Sequence, residues 1–137
     1  MRKILLPVDG SPRSMKSAQL VKTLYKPEDC EIYVITVRDD YEALVEMEFN
    51  IAKAEREAMP IVNKAAEMLD GYNVKKEVLI AKKPAEEIVR YAQAIGAHAI
   101  IMTKSTKTAF KKVLGSVTEH VVKNAPCIVT IVPEKDF

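Results

Sequence analysis

The chain has 137 residues, 48% apolar and 29% charged, with a formal net charge of +2 from 21 basic and 19 acidic side chains. That length suits one compact domain, since each of two would bury too little apolar surface to offset chain entropy. The balance excludes a disordered chain, and so small a net charge argues against duplex nucleic acid or an anionic membrane as partner.

No apolar run approaches the ~20 residues that span a bilayer. The N-terminal run Ile4 to Val8 is shorter than a secretory core of about 7–15 residues. A cytoplasmic protein is therefore expected. Cys30 and Cys127 lie in apolar, strand-like stretches and read as reduced, buried small hydrophobes. The only histidines, His98 and His120, do not complete a zinc site with them. They read as a strand-entry residue and a helix-surface residue.

Ile4-Leu5-Leu6-Pro7-Val8 predicts the first strand, and Asp9-Gly10-Ser11-Pro12 a turn. Ser11 or Asp9 is a suitable helix cap and Pro12 suits a first helical position. The helix that follows carries Met15, Ala18, Leu20, Val21 and Leu24 near one face, and Pro27 ends it by disfavouring a helical Lys26. Cys30 to Val37 is β-branched and too short for a helix, hence a strand.

After the polar Arg38-Asp39-Asp40, apolar residues from Leu44 to Met68 recur three or four apart. Pro60 lacks an N–H and crowds the carbonyl of Arg56, so a kink or break is expected there, with the half after Pro60 as the packed crossover. The acidic stretch Tyr41 to Glu57 suits either one face of that crossover or a partner surface. Gly71 is expected to close the helix.

Val74 to Ala81 predicts a third strand, Pro84 opens a helix running to Ile95, and Gly96 ends it. Ala97 to Met102 is the fourth strand, Val113 to Lys123 the last helix and Pro126 to Val132 the last strand. Alternation of this kind gives right-handed crossovers and a parallel sheet covered by helices on both faces.

An open parallel sheet takes ligands at the carboxyl ends of its strands, where strand order reverses. Three junctions qualify: Asp9-Gly10-Ser11, Val37-Arg38-Asp39 and Met102-Thr103-Lys104. The third begins a stretch, Thr103 to Lys112, with four lysines and no acid, followed by Gly115-Ser116-Val117-Thr118. Free N–H groups and the positive end of a helix dipole suit phosphate there. The same residues also suit a solvated loop and an ordinary helix cap. There is no GxxxxGK[ST] loop, GxGxxG turn or GxSxG elbow, so a binding protein rather than an enzyme is expected. A phosphorelay receiver needs an acidic cluster after the first strand, where only Asp9 stands, and an Asp after the third, where Ala81 and Lys82 stand.

Four pieces carry a resemblance to the universal stress protein family: Ile4 to Ser11 with Ser14, Lys16 and Ala18; Ala97 to Met102; Gly115 to Val121; and Ala125 to Val132. The resemblance implies a three-layer α/β fold, adenine nucleotide alpha hydrolase-like, with a five-stranded parallel sheet ordered 3-2-1-4-5. It also implies a stress-response homodimer paired through strand 127–132, with ATP or AMP at the ends of strands 1 and 4. On that pattern Pro7 and Val8 floor the site, and Asp9 and Val37 lie against the nucleoside. Met102, Thr103 and Thr106 line the approach to phosphate, and Gly115, Ser116, Val117 and Thr118 offer N–H and hydroxyl groups. Nucleotide-binding members carry glycine where Thr103 and Thr106 stand, and one more residue before Gly-Ser. Threonine, branched at Cβ, does not allow the same close backbone approach, and Lys104 or Lys107 would supply charge instead. The alternative within the family is an interaction protein that binds no nucleotide and works through an unidentified protein partner.

Overall fold

The computed structural model describes residues 1–104 and 115–133. Its elements in chain order are β1 (Arg2–Pro7), α1 (Lys16–Leu24), β2 (Cys30–Arg38), α2 (Tyr41–Phe49), α3 (Ile51–Glu67), β3 (Asn73–Ile80), α4 (Pro84–Ile95), β4 (Ala99–Thr103), α5 (Ser116–Asn124) and β5 (Ile128–Val132). All four strand pairings are parallel, and the sheet order is β3-β2-β1-β4-β5, as expected.

Alternation along the strands divides the core. Ile4 and Leu6 of β1, with Ile32 and Val34 of β2, face Ala18 and Val21 of α1 and Ala58, Val62 and Ala65 of α3. Leu5, Ile35, Ile100 and Met102 point to the other face, against Ile88, Val89 and Ala92 of α4 and Val121 of α5. Each fully buried aliphatic side chain contributes roughly 1.5–3 kcal/mol. Two covered faces explain why β1 and β4 read as continuous apolar runs.

Three expectations are corrected. The first helix begins at Lys16, not at Pro12, and Met15 at its N-cap makes no side-chain capping bond. Residues 11–15 instead form short i→i+3 turns, Ser14 N–H to Ser11 O (3.1 Å) and Lys16 N–H to Arg13 O (3.1 Å). Ser11 still caps that lead-in: its Oγ accepts from Ser14 N–H at 3.1 Å.

The long helix breaks at Asn50, not Pro60. Asn50 leaves the helical region (φ −156°, ψ 77°), and its side chain accepts from Lys53 N–H, capping α3. Pro60 lies inside α3, and the packed crossover starts with Ala54, ahead of it. A strong local cap set the boundary, while the packing of Ala54, Ala58 and Val62 offsets the backbone bond that Pro60 removes. Finally, α3 ends at Glu67, and Gly71 (φ 88°) sits in the turn beyond.

His98 lies just ahead of β4, donating its N–H to Lys3 O at 2.8 Å, with its ring edge-on to Tyr25. Cys30 is buried and Cys127 half-buried, both unpaired, and desolvation raises both thiols above the ordinary cysteine value. Among the described residues no helix is long and apolar enough to cross a membrane, and no group of three ligating side chains suits a metal ion.

Candidate functional site

Pairing of β1 with both β2 and β4 brings three carboxyl-terminal strand ends together. A cleft of about 580 Å³ opens there. Its floor is Pro7 and Val8; Val8 continues the sheet, donating its N–H to Ile35 O at 2.8 Å. Asp9 stands on one side, Thr36 and Val37 of β2 on another, and Met102 and Thr103 close the β4 end with Val117 of α5. Ala58 and Ile61 of α3 and Pro84 and Ile88 of α4 add apolar walls from the two helical layers.

Asp9 is fixed by the turn it begins. Its Oδ1 accepts from Ser11 N–H at 2.9 Å, and its own N–H donates to Ser14 Oγ at 3.4 Å. Ser14 Oγ in turn donates to Ser11 O at 2.9 Å. The residue is exposed at the cleft rim. Partial desolvation there pushes its carboxyl upward, but the hydrogen bonds from Ser11 and Ser14 and the charge of Arg13 together hold it below the usual range. Asp9 therefore meets a ligand as an anion, an acceptor for hydroxyl or amino groups. Gly10 follows with φ +84°, a conformation that favours glycine.

The β2 wall carries an ion-pair clasp. Arg38 donates to both Asp40 oxygens (Nε–Oδ1 3.1 Å, Nη2–Oδ2 2.9 Å), to Glu57 Oε2 (Nη1, 3.1 Å) and to the carbonyl of Ala54 (Nη1, 2.8 Å). Asp40 also caps α2, accepting from Ala43 N–H. The hydrogen bond from Arg38 holds Asp40 below the ordinary carboxylate value. Arg38, Asp39, Asp40 and Glu57 all line the cleft, so this wall is acidic with its cation already paired.

Of the residues singled out from the sequence, Pro7, Val8, Asp9, Val37, Met102, Thr103 and Val117 share the cleft. Gly115 (φ 82°) is the N-cap of α5, whose first turn has no side-chain cap. Ser116 is exposed, and neither it nor Gly115 lines the cleft. Thr118 is fully buried and is not among the residues lining the cleft. Helical spacing explains this: Thr118 falls on the inward face with Val121. Thr106 and Lys107 lie outside the described residues, as do Val113 and Leu114 of the expected last helix. Sequence reasoning passed over Thr36, Glu57, Ala58 and Ile61 as cleft residues. Those on α3 come from the crossover, and no local motif tells which helical turn reaches the strand ends.

Comparison with known proteins agrees with this architecture. The family model described as "Universal stress protein family" matches residues 1–133. The universal stress protein MJ0531 of Methanocaldococcus jannaschii is 36% identical over 146 residues, covering 98% of this chain and 85% of that protein. MJ0577 of the same organism is 30% identical, covering 98% and 96%. The solved structure of MJ0577 superposes with a TM-score of 0.81 at 32% identity, over 99% of this chain and 98% of that one. A universal stress protein family protein of Arabidopsis thaliana, solved with AMP bound, shares the fold with a TM-score of 0.67 at 15% identity, over 98% and 93%. On the family match along nearly its whole length, and on its two relatives at 30% identity or more, the chain belongs to the universal stress protein family.

Proposed function

We propose that this protein is a regulatory stress protein that holds an adenine nucleotide, AMP or ATP, in the cleft at the ends of β1, β2 and β4, and that it acts by binding rather than by catalysis. One observation carries the reading: Asp9, Val37, Thr103 and Val117, from four separate parts of the chain, line one cleft of about 580 Å³, a volume within the usual range for small-molecule sites. The apolar walls suit a purine, and anionic Asp9 suits ribose hydroxyls. Val117 lies in the first turn of α5, whose N-cap Gly115 makes no side-chain capping bond, and the positive end of that helix's dipole favours phosphate. The AMP carried by the A. thaliana protein of the same fold supports the choice of ligand class.

The proposal includes a homodimer paired through β5 and a cytoplasmic location. β5 lies at the sheet edge with Ile128 exposed, and an edge strand invites pairing about a twofold axis.

Thermal melts with adenosine, AMP and ATP, with and without magnesium, test the nucleotide reading. A ligand at a hundred times its Kd stabilises by about 2.7 kcal/mol, so a clear rise in Tm is expected. Mass spectrometry of the denatured purified protein should find co-purified adenine nucleotide. A melting temperature indifferent to all three ligands favours the second reading, a family member that works through a protein partner alone. That reading has its own support: the cation among the described cleft residues, Arg38, is committed to Asp40 and Glu57.

A further inference from the structure

The outward face of α2 is apolar where a surface helix is ordinarily polar. Tyr41, Val45 and Phe49 stand four residues apart and so form one stripe. They are 82%, 37% and 80% exposed. The only buried residue of α2 is Ala43, on the side turned toward α3 and β3. Ile51, at the start of α3, extends the stripe and is 50% exposed. Among the described residues no side chain covers Tyr41 or Phe49, and both stand largely in water.

Charge surrounds the stripe. Glu42 and Glu46 flank it on one side and Glu48 on the other. Residues 39–57 contain seven acidic and two basic side chains, a net −5, in a chain whose net charge is +2. Of those two bases, Lys53 is engaged with Glu46 at 3.5 Å and Glu57 at 4.0 Å. Among the described residues no cation pairs with Glu42 or Glu48.

We propose that α2 is a docking surface for a basic amphipathic helix of another protein, whose aliphatic face covers Tyr41, Val45 and Phe49 and whose lysines or arginines meet the flanking glutamates. Charge selects this occupant. A second copy of the chain seated stripe to stripe would bring glutamate against glutamate, and an anionic lipid surface would be repelled. Exposed aromatic residues supply large contact area at little entropic cost, the usual composition of an interface centre. Asp40 caps α2 and also closes the Arg38 clasp, so the docking helix is anchored to the cleft wall. The surface stands whether or not the cleft holds a nucleotide.

A fluorescent synthetic Leu/Lys amphipathic helix, titrated with the full chain by fluorescence anisotropy, tests this. A saturable one-to-one isotherm is expected, weakened about tenfold by Tyr41→Asp or Phe49→Asp and weakened by Glu42→Gln with Glu48→Gln in a salt-dependent way. Both aromatic sites are exposed, and unchanged melts of the variants would show that the fold persists. A scrambled peptide of the same composition that binds equally well would overturn the proposal, since only charge would then be read. So would affinity indifferent to Tyr41→Asp and Phe49→Asp. A solution mass by light scattering that falls on Phe49→Asp would assign the stripe to a second copy instead, and also overturn it.

Discussion

Arg38 Nη1 lies 3.1 Å from Glu57 Oε2, tying the end of β2 to the middle of α3 across one side of the cleft. The same nitrogen reaches the Ala54 carbonyl at 2.8 Å, and the Arg38 side chain is only 15% exposed. Replacing it with Met keeps the stem and removes every one of these bonds. Arg38→Met should cost about 1–3 kcal/mol in urea unfolding, because Ala54 O and two carboxylates lose a nearly buried partner. Glu57→Gln, at a more exposed position, should cost less than about 1 kcal/mol.

The clasp sets a pH dependence. Asp40 has its folded value depressed by the hydrogen bond from Arg38. A carboxyl depressed on folding contributes stability that is fully present above its unfolded value, about 3.9, and is lost as pH falls through the lower folded value. Asp40→Asn should therefore be less stable than wild type by a constant amount above about pH 5, and the gap should shrink below about pH 4. Urea midpoints across that range check it.

Gly10 has φ +84°, and a Cβ built there would stand 3.2 Å from Cγ1 of Ile61. Gly71 has φ +88° with nothing within 4 Å of the same added atom. Both Gly→Ala variants should lose about 1–2 kcal/mol to the left-handed backbone. Gly10→Ala should lose more, since Ile61 must also give way. The difference between the two thermal melts isolates the steric part.

At the β4 end of the cleft, Thr103 is 7% exposed and lines the site. If the threonines restrict approach to phosphate, Thr103→Gly with Thr106→Gly and one residue inserted before Gly115 should raise affinity for ATP more than for adenosine. Calorimetry with the two ligands measures the ratio. An unchanged ratio would mean that the triphosphate is read elsewhere.

The homodimer reading predicts that Thr130→Pro or Ile131→Pro, by removing a backbone donor from the edge strand, yields a monomer in light scattering. A dimer that survives both places the interface elsewhere.

The sheet was legible because parallel strands leave a clear mark: Ile4 to Val8 is apolar throughout, Ile128 to Val132 is apolar but for Thr130, and turn residues punctuate both. Alternation gave the parallel sheet, the resemblance alone gave the strand order, and the observed order agrees with it. Helix boundaries were less legible. Pro60 looked decisive because its cost is local and visible, whereas Asn50 set the break through a side-chain bond to Lys53 N–H, which competes quietly with the apolar period. In the site, residues next to strand ends could be named in advance, because chain position alone puts Asp9 and Thr103 there. Thr118 is different: the run Gly115 to Thr118 looks like a helix cap, while its i, i+3 spacing to Val121 is what turns Thr118 inward.

The acids gathered in residues 39–57 have an electrical consequence. With −5 in that segment and +2 in all, the remainder of the chain carries +7. A nearly neutral total thus conceals an uneven distribution of charge along the sequence. Charges more than one Debye length away, about 8 Å at physiological salt, are largely screened, so a macromolecule close to residues 39–57 senses their negative charge rather than the sum. Collisions are turned before contact, and the α2 end greets cations first.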